Sequence, residues 1–297
     1  MSYHNPVLLF ESIDGLEIVP DGIYVDVTFG GGGHSKEILK RLGPAGKLFG
    51  FDQDEDALKN TIDDDRFVLI HENFRHMNRF LKFHQVKKVN GILADLGVSS
   101  HQFDVASRGF STRFDAELDM RMSKSTEISA YDIINKYDEE KLSSILFLYG
   151  ELRNSKALAN QIIESRKEKP IKTSFELKEV LRRFLPKSKE HKILAQIFQA
   201  IRIEVNQELE ALKEFLIQAE ELLVPGGKLS VISYHSLEDR LVKRFIRSGI
   251  FEGEPEKDFY GNIKVPFKKG KLITPSPQEV KNNNRARSAK LRIATKL

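Results

Sequence analysis

Residues 22–35 read GIYVDVTFGGGGHS. The first half is a short β-branched and aromatic run, the pattern of a strand buried on both faces. Four consecutive glycines follow. Glycine loses more backbone freedom on folding than any other residue, so a run of four implies a turn or a close approach that side chains would forbid. Ser35–Leu42, SKEILKRL, then has helical spacing. A glycine loop between a strand and a helix sets backbone against a ligand in the crevice at the strand's C-terminal end.

Working outward, GKLFGFDQD reads as a second strand ending on Asp52, and DEDALKN as the acidic start of a helix. DRFVLIHENF (65–74) reads as a third strand, and VNGILADLGVSS (89–100) as a fourth ending on Asp95. This alternation predicts an α/β fold, a doubly wound, Rossmann-like parallel sheet with helical crossovers. From residue 104 to 205 no strand pattern stands out, and helix-like runs such as DEEKLSSILFLYG replace it. Leu194, Phe198, Ile201, Val205, Leu209, Leu212 and Leu216 recur at intervals of three and four, one helix face that VPGG terminates. KLSVISYHS restores a buried strand, LEDRLVKRFI a helix, and SAKLRIATK alternates like an edge strand. The expected organisation is one domain over 1–103 and 206–297, with a helical insertion over 104–205.

The bulk numbers are consistent with that reading. At 297 residues, 40% hydrophobic and 30% charged, the chain can bury a large core. The start, MSYHNPVLLFESIDG, lacks the basic and apolar regions of a signal peptide, and no run approaches the roughly 18 apolar residues of a membrane span. Cysteine is absent, which excludes disulfides and cysteine-held zinc and suits the cytoplasm. His71, His76 and His84 lack ligand spacing, so no metal site is expected.

Asp52 falls about twenty residues after the glycine loop, where a carboxylate accepts hydrogen bonds from ribose hydroxyls. Loop and acid together predict an adenosine-type cofactor. The dinucleotide pattern G-x-G-x-x-G fails, because Ser35 occupies the third glycine's slot, and no phosphate loop exists. S-adenosylmethionine, which has no pyrophosphate, fits better than NAD, although Asp52 would also suit an NAD-dependent oxidoreductase. His34 either meets the methionine end or caps the helix with Ser35.

YHNPVLLFES, GIYVDVTFGGGGHS, GFDQD, GILADLGVSS, RGFS with LDMRM, FQAIRIEVNQEL, PGGKLSVISYHSLEDR and RARSAKLR occur in this order along nearly the whole chain. In these motifs the chain resembles the bacterial methyltransferases that modify the exocyclic N4 of one cytidine in the decoding region of 16S rRNA. The resemblance implies a class I methyltransferase sheet, S-adenosylmethionine as cofactor and the small ribosomal subunit as partner. By matching motif it implies cofactor contacts at Gly32, Gly33, His34, Asp52, Phe74, Asp95 and Gln102. The sequence departs from the family's pattern in three loops, at SSHQ, at Glu117 and at NNNRARS.

The N4 lone pair of cytosine is delocalised into the ring, so a site must accept hydrogen bonds from the amine and hold it in line with the methyl donor. Asp95 supplies an acceptor, but Leu96-Gly97-Val98 lacks the two prolines and aromatic that many amine methyltransferases carry there. Asp95 therefore either orients the amine or binds the cofactor. Tyr234 and His235 in SYHS are the nearest further candidates. They point to opposite faces of a strand, and His235 is either catalytic or a hydrogen-bonded structural residue.

Net charge is +4, and the cations cluster. The tail from Lys281 holds Arg285 and Arg287 among six cations and no acid, VPFKKGK is a second basic stretch, and Arg182, Arg183, Lys187, Lys189 and Lys192 a third. Arg108, Phe110, Arg113, Phe114 and Arg121 interleave cation and aromatic, as binding of single-stranded RNA uses. Arg202 and Asn206 share a helix face, facing substrate or joining the domains. A non-catalytic RNA-binding assembly factor is the remaining alternative. The oligomeric state is left open, a homodimer included.

Overall fold

A computed structural model describes residues 6–297. The chain divides into two compact units, residues 1–97 with 209–297 and residues 98–208, against the sequence-expected boundaries at 103 and 206. In chain order the first unit begins with α1 (Leu9–Asp14), β1 (Ile23–Asp26), α2 (Gly33–Arg41), β2 (Lys47–Asp52), β3 (Phe67–His71), α3 (Met77–Phe83) and β4 (Val89–Asp95). The second unit holds α4 (Ser100–Asp104), α5 (Ala130–Lys136), α6 (Glu139–Leu148), α7 (Ser155–Glu168), α8 (Ser174–Val180) and α9 (Glu190–Asn206). The chain then continues through α10 (Glu208–Leu222), β5 (Leu223–Ser233), α11 (Ser236–Ser248), β6 (Phe267–Ile273), α12 (Pro277–Asn282) and β7 (Lys290–Lys296).

The seven strands form one sheet in the order β3-β2-β1-β4-β5-β7-β6. The first five run parallel, and β7 is antiparallel to both its neighbours. Side chains alternate between two covered faces. Val25, Phe49, Phe51, Ile92 and Ala94 join one core with Leu212, Phe215 and Val242, whereas Tyr24, Leu48 and Leu93 join another with Ile13, Leu16 and Ile38. Burial on both faces is why these strands read as near-continuous apolar runs. The strand order reverses between β1 and β4, and in such sheets that switch point opens the ligand crevice.

Three details depart from the sequence expectation. SAKLRIATK is not at an edge: β7 pairs on both sides, and the edge belongs to β6, whose sequence read as a basic patch. VPGG lies inside β5, where the register against β4 shifts between Val89 and Gly91. The apolar stripe from Leu194 to Leu216 is two helices. Gln207 takes a left-handed conformation (φ 50°) and ends α9. Leu194, Phe198, Ile201 and Val205 enter the core of the second unit, while Leu212 and Leu216 enter that of the first.

The second unit is helical, with Leu142, Ile145, Leu158, Ile162, Leu177, Ile197 and Ile201 in its core. Side chain and backbone exchange hydrogen bonds in capping boxes at Ser99/Gln102, Ser129/Asp132 and Thr173/Glu176, which satisfy the orphan N–H groups of α4, α5 and α8. Among the described residues no helix is long and apolar enough to cross a membrane.

Candidate active site at the strand tips

The glycine loop is held by two buried acids. Asp26, the last residue of β1, is fully buried; its Oδ1 accepts the Thr28 N–H (3.1 Å) and its Oδ2 the Ser35 hydroxyl (2.7 Å). Asp52 ends β2, and its Oδ2 accepts the Gly30 N–H while Oδ1 accepts the Asp54 N–H, both at 2.8 Å. Asn60 closes the loop from the other side by donating to the Gly30 carbonyl (2.9 Å). Asp26 had no role in the sequence reading, although an acid ending a buried apolar run was a usable signal. Burial raises both carboxyls to about 6, against the hydrogen bonds that favour the charged form.

The glycines divide their labour. Gly30 and Gly32 have positive φ (51° and 74°), which opens the turn and makes Gly32 the N-cap of α2. A Cβ on Gly33 would stand 2.2 Å from Pro6 Cγ, so this glycine makes room for the chain's own N-terminal segment. Neither His34 nor Ser35 caps the helix: Gly32 holds that position, and the Ser35 hydroxyl is committed to Asp26. His34 is buried, with Nε2 3.2 Å from the Val7 carbonyl, which requires the proton on Nε2. Burial lowers its pKa more than the Asp95 charge raises it, so the imidazole is neutral and turns its Nδ1 toward Asp95 Oδ2, 3.9 Å away.

Asp95 ends β4. Its main-chain N–H donates to Thr28 Oγ1 (2.6 Å), and its Oδ1 accepts the Tyr234 hydroxyl (2.7 Å). Burial lifts the carboxyl to about 6, opposed by the tyrosine's hydrogen bond; the tyrosine itself is raised well above its usual range by burial and by Asp95. Gly97, at φ 97°, would carry a Cβ 3.5 Å from the Tyr234 ring. Gly32, His34, Asp52, Asp95 and Tyr234 thus come together around the tips of β1, β2, β4 and β5.

The other candidates have their own surroundings. Phe74 follows β3, half-buried, its ring edge-on to Phe215 at 5.5 Å. His235 is the N-cap of α11, with Nδ1 3.5 Å from the Glu238 N–H it accepts, while Glu238 Oε2 takes the Tyr234 N–H. Arg287 is exposed and Arg285 half-buried, beside Ala286, which is fully buried. Gln102 and Arg108 belong to the second unit. Gln102 accepts the Ser99 N–H at 3.0 Å, and Arg108 donates to the carbonyls of Arg121 and Met122. Phe110, 4% exposed, is core and unavailable for stacking, unlike Phe114 at 42%. Arg202 forms a two-point pair with Glu208, and Asn206 clamps the 120–122 loop, contacts that lie within residues 98–208.

The donor set fits an adenosine cofactor. Asp52 uses two of about four acceptor positions on backbone N–H groups, leaving capacity for ribose hydroxyls. Phe74 offers a half-buried apolar ring at the next strand end.

Comparison with known proteins agrees in kind. A Flavobacterium johnsoniae protein named ribosomal RNA small subunit methyltransferase H is 68% identical over 298 residues, spanning 100% of this chain and 99% of that one. Proteins of the same name from Cytophaga hutchinsonii and Bacteroides thetaiotaomicron are 58% and 55% identical, each spanning 98% of its own length, or more, and at least 98% of this chain. The MraW methylase family model matches residues 1–297, and the chain belongs to that family.

Proposed function

We propose that this chain methylates the exocyclic N4 of a cytidine in the decoding region of 16S rRNA, acting in the cytoplasm on the small ribosomal subunit. S-adenosylmethionine is the methyl donor, and when bound it supplies an electrophilic methyl group on a sulfonium. The observation that carries the reading is the Asp95 carboxylate at the tip of β4, held through Oδ1 by Tyr234 and facing neutral His34 through Oδ2.

In this reading Asp52 takes the ribose hydroxyls, the Gly30–Gly32 turn lies along the methionine end, and Phe74 covers the adenine. Asp95 Oδ2 accepts an N–H of the target amine. That hydrogen bond returns electron density to N4 and fixes its direction, and the same oxygen receives the proton that the nitrogen sheds. Neutral His34 does not compete as a cation for the carboxylate. Residues 98–208 serve RNA recognition, with Phe114 and Arg113 as the exposed aromatic and cation, and Arg285 and Arg287 meet phosphate from the first unit.

Thermal-shift titration tests the cofactor half: stabilisation by S-adenosylhomocysteine and none by NAD is expected. Stabilisation by NAD alone overturns it in favour of the oxidoreductase reading. Transfer of label from S-adenosylmethionine to 16S rRNA in small subunits tests the substrate half, and absence of transfer with cofactor bound favours the assembly factor.

A further inference from the structure

The edge of the sheet farthest from the glycine loop in strand order carries a second basic feature. β6 is interrupted: its register against β7 shifts between Lys269 and Leu272. Gly270 sits in that bulge, where a Cβ would come within 2.5 Å of the Ile293 carbonyl oxygen, so only glycine lets the two backbones approach. A shallow pocket results between β6, β7 and α11. Lys269 and Lys271 line it from the bulge, and Lys243 and Arg247, one helical turn apart on α11, line it from the other side.

All four side chains are on exposed residues, and none makes an ion pair with a described acidic group. The fifth cation of the pocket differs. Arg292 is 9% exposed and neutralised by Asp239, which accepts its Nε at 2.7 Å and also pairs with Lys290. The built-in acid is therefore spent on β7, and four outward cations remain uncompensated. Lysines on an edge strand also deter sheet-to-sheet pairing. That role does not account for Lys243 and Arg247 meeting them from a helix.

We propose that this α11–β6 pocket is a phosphate-backbone contact for rRNA, a second RNA-docking surface on the first unit. The proposal rests on the rRNA methyltransferase reading above. Lysine and arginine neutralise phosphates and release their counterions, which gives sequence-independent affinity that weakens with salt. The bulge and α11 together place four charges around one pocket, a compact array suited to a phosphate backbone.

The test compares full-length wild type with K269Q/K271Q and K243Q/R247Q, singly and combined, for binding to small subunits and to naked 16S rRNA across a salt series. Loss of all four contacts lowers the slope of log affinity against log salt by roughly 3 and weakens binding about tenfold or more at low salt. Affinity for S-adenosylhomocysteine stays at the wild-type value in every variant, which certifies the fold. Wild-type affinity and slope in the combined variant overturn the proposal. So does weakened binding to subunits with unchanged binding to naked rRNA, which assigns the pocket to an acidic ribosomal protein. Failure of the wild type itself to methylate rRNA sinks the underlying reading instead, so the two failures are distinct.

Discussion

The Tyr234 hydroxyl donates a 2.7 Å hydrogen bond to Asp95 Oδ1, joining the tips of two adjacent parallel strands, β5 and β4. This bond stabilises the charged form of a carboxyl that burial nonetheless raises to about 6. It also occupies Oδ1, so in the proposed reaction Oδ2 is the oxygen left for the target amine.

Tyr234→Phe keeps the ring and removes the bond. The Asp95 pKa then rises further, so the acid limb of the pH–rate profile moves to higher pH. The kcat falls about tenfold at neutral pH, the scale of a hydrogen bond to a charged group. Cofactor affinity stays within about twofold. A profile with an unmoved acid limb would show that Tyr234 does not act through Asp95.

In the wild type, activity is expected to decline as pH falls through about 6, because in the proposed mechanism protonated Asp95 can no longer take the proton of the amine. Single-turnover rates at saturating cofactor and RNA report this limb. Asp52 titrates in the same range, so cofactor affinity is followed separately by calorimetry.

Asp52→Asn weakens S-adenosylhomocysteine binding by about tenfold to a hundredfold, since charge-assisted bonds to ribose are each worth roughly 1.5–3 kcal/mol. The same substitution leaves one of two backbone donors, at Gly30 or Asp54, without its acceptor. Calorimetric affinity within twofold of wild type would remove Asp52 from the cofactor site.

Asp26→Asn is expected to stabilise. Its amide can donate to Ser35 Oγ and its oxygen can accept the Thr28 N–H, so geometry is kept while a buried charge is lost. The folded pKa of Asp26, about 6, lies above its ordinary value of 3.8. The native state therefore binds a proton more readily than the unfolded one, and the contribution to stability is full below about 4 and lost as pH rises through about 6. The variant gains roughly 2–3 kcal/mol at pH 7 and nothing near pH 4. Urea denaturation at the two pH values reads the difference, and an equal effect at both would contradict the linkage.

Much of this was legible in the sequence, and what was missed has physical reasons. The strand–loop–helix around GIYVDVTFGGGGHS, the acids at 52 and 95 and the sheet's parallel character all follow from local pattern and chain rhythm. The helix break at Gln207 was hidden because the apolar spacing continues across it into a different core. Phe110 looked like a stacking residue because interleaved cations do not reveal which aromatic is buried. That Gly33 also makes room for Pro6 could not be read in advance, because a glycine reports a close approach without naming what approaches. Tyr234 stood out as a candidate in SYHS, but the bond of its hydroxyl to Asp95 pairs residues 139 positions apart, which periodicity cannot disclose.

Asn206→Ala loosens the second unit. Its amide accepts the Met122 N–H (2.7 Å) and donates to the Met120 carbonyl (2.8 Å), both in buried surroundings. Leaving those groups unpaired costs about 2–3 kcal/mol. Hydrogen exchange accelerates within residues 98–208, while S-adenosylhomocysteine still binds the first unit. Uniform protection in both units would show that the clamp is dispensable.

The most direct measurement is nucleoside-resolved mass spectrometry of 16S rRNA from small subunits lacking the modification, incubated with S-adenosylmethionine and either wild type or Asp95→Ala. One N4-methylated cytidine in the decoding region with the wild type, and at least a hundredfold slower appearance with the variant, is the expected result. A methyl group on another atom or base, or undiminished transfer by Asp95→Ala, would contradict the account.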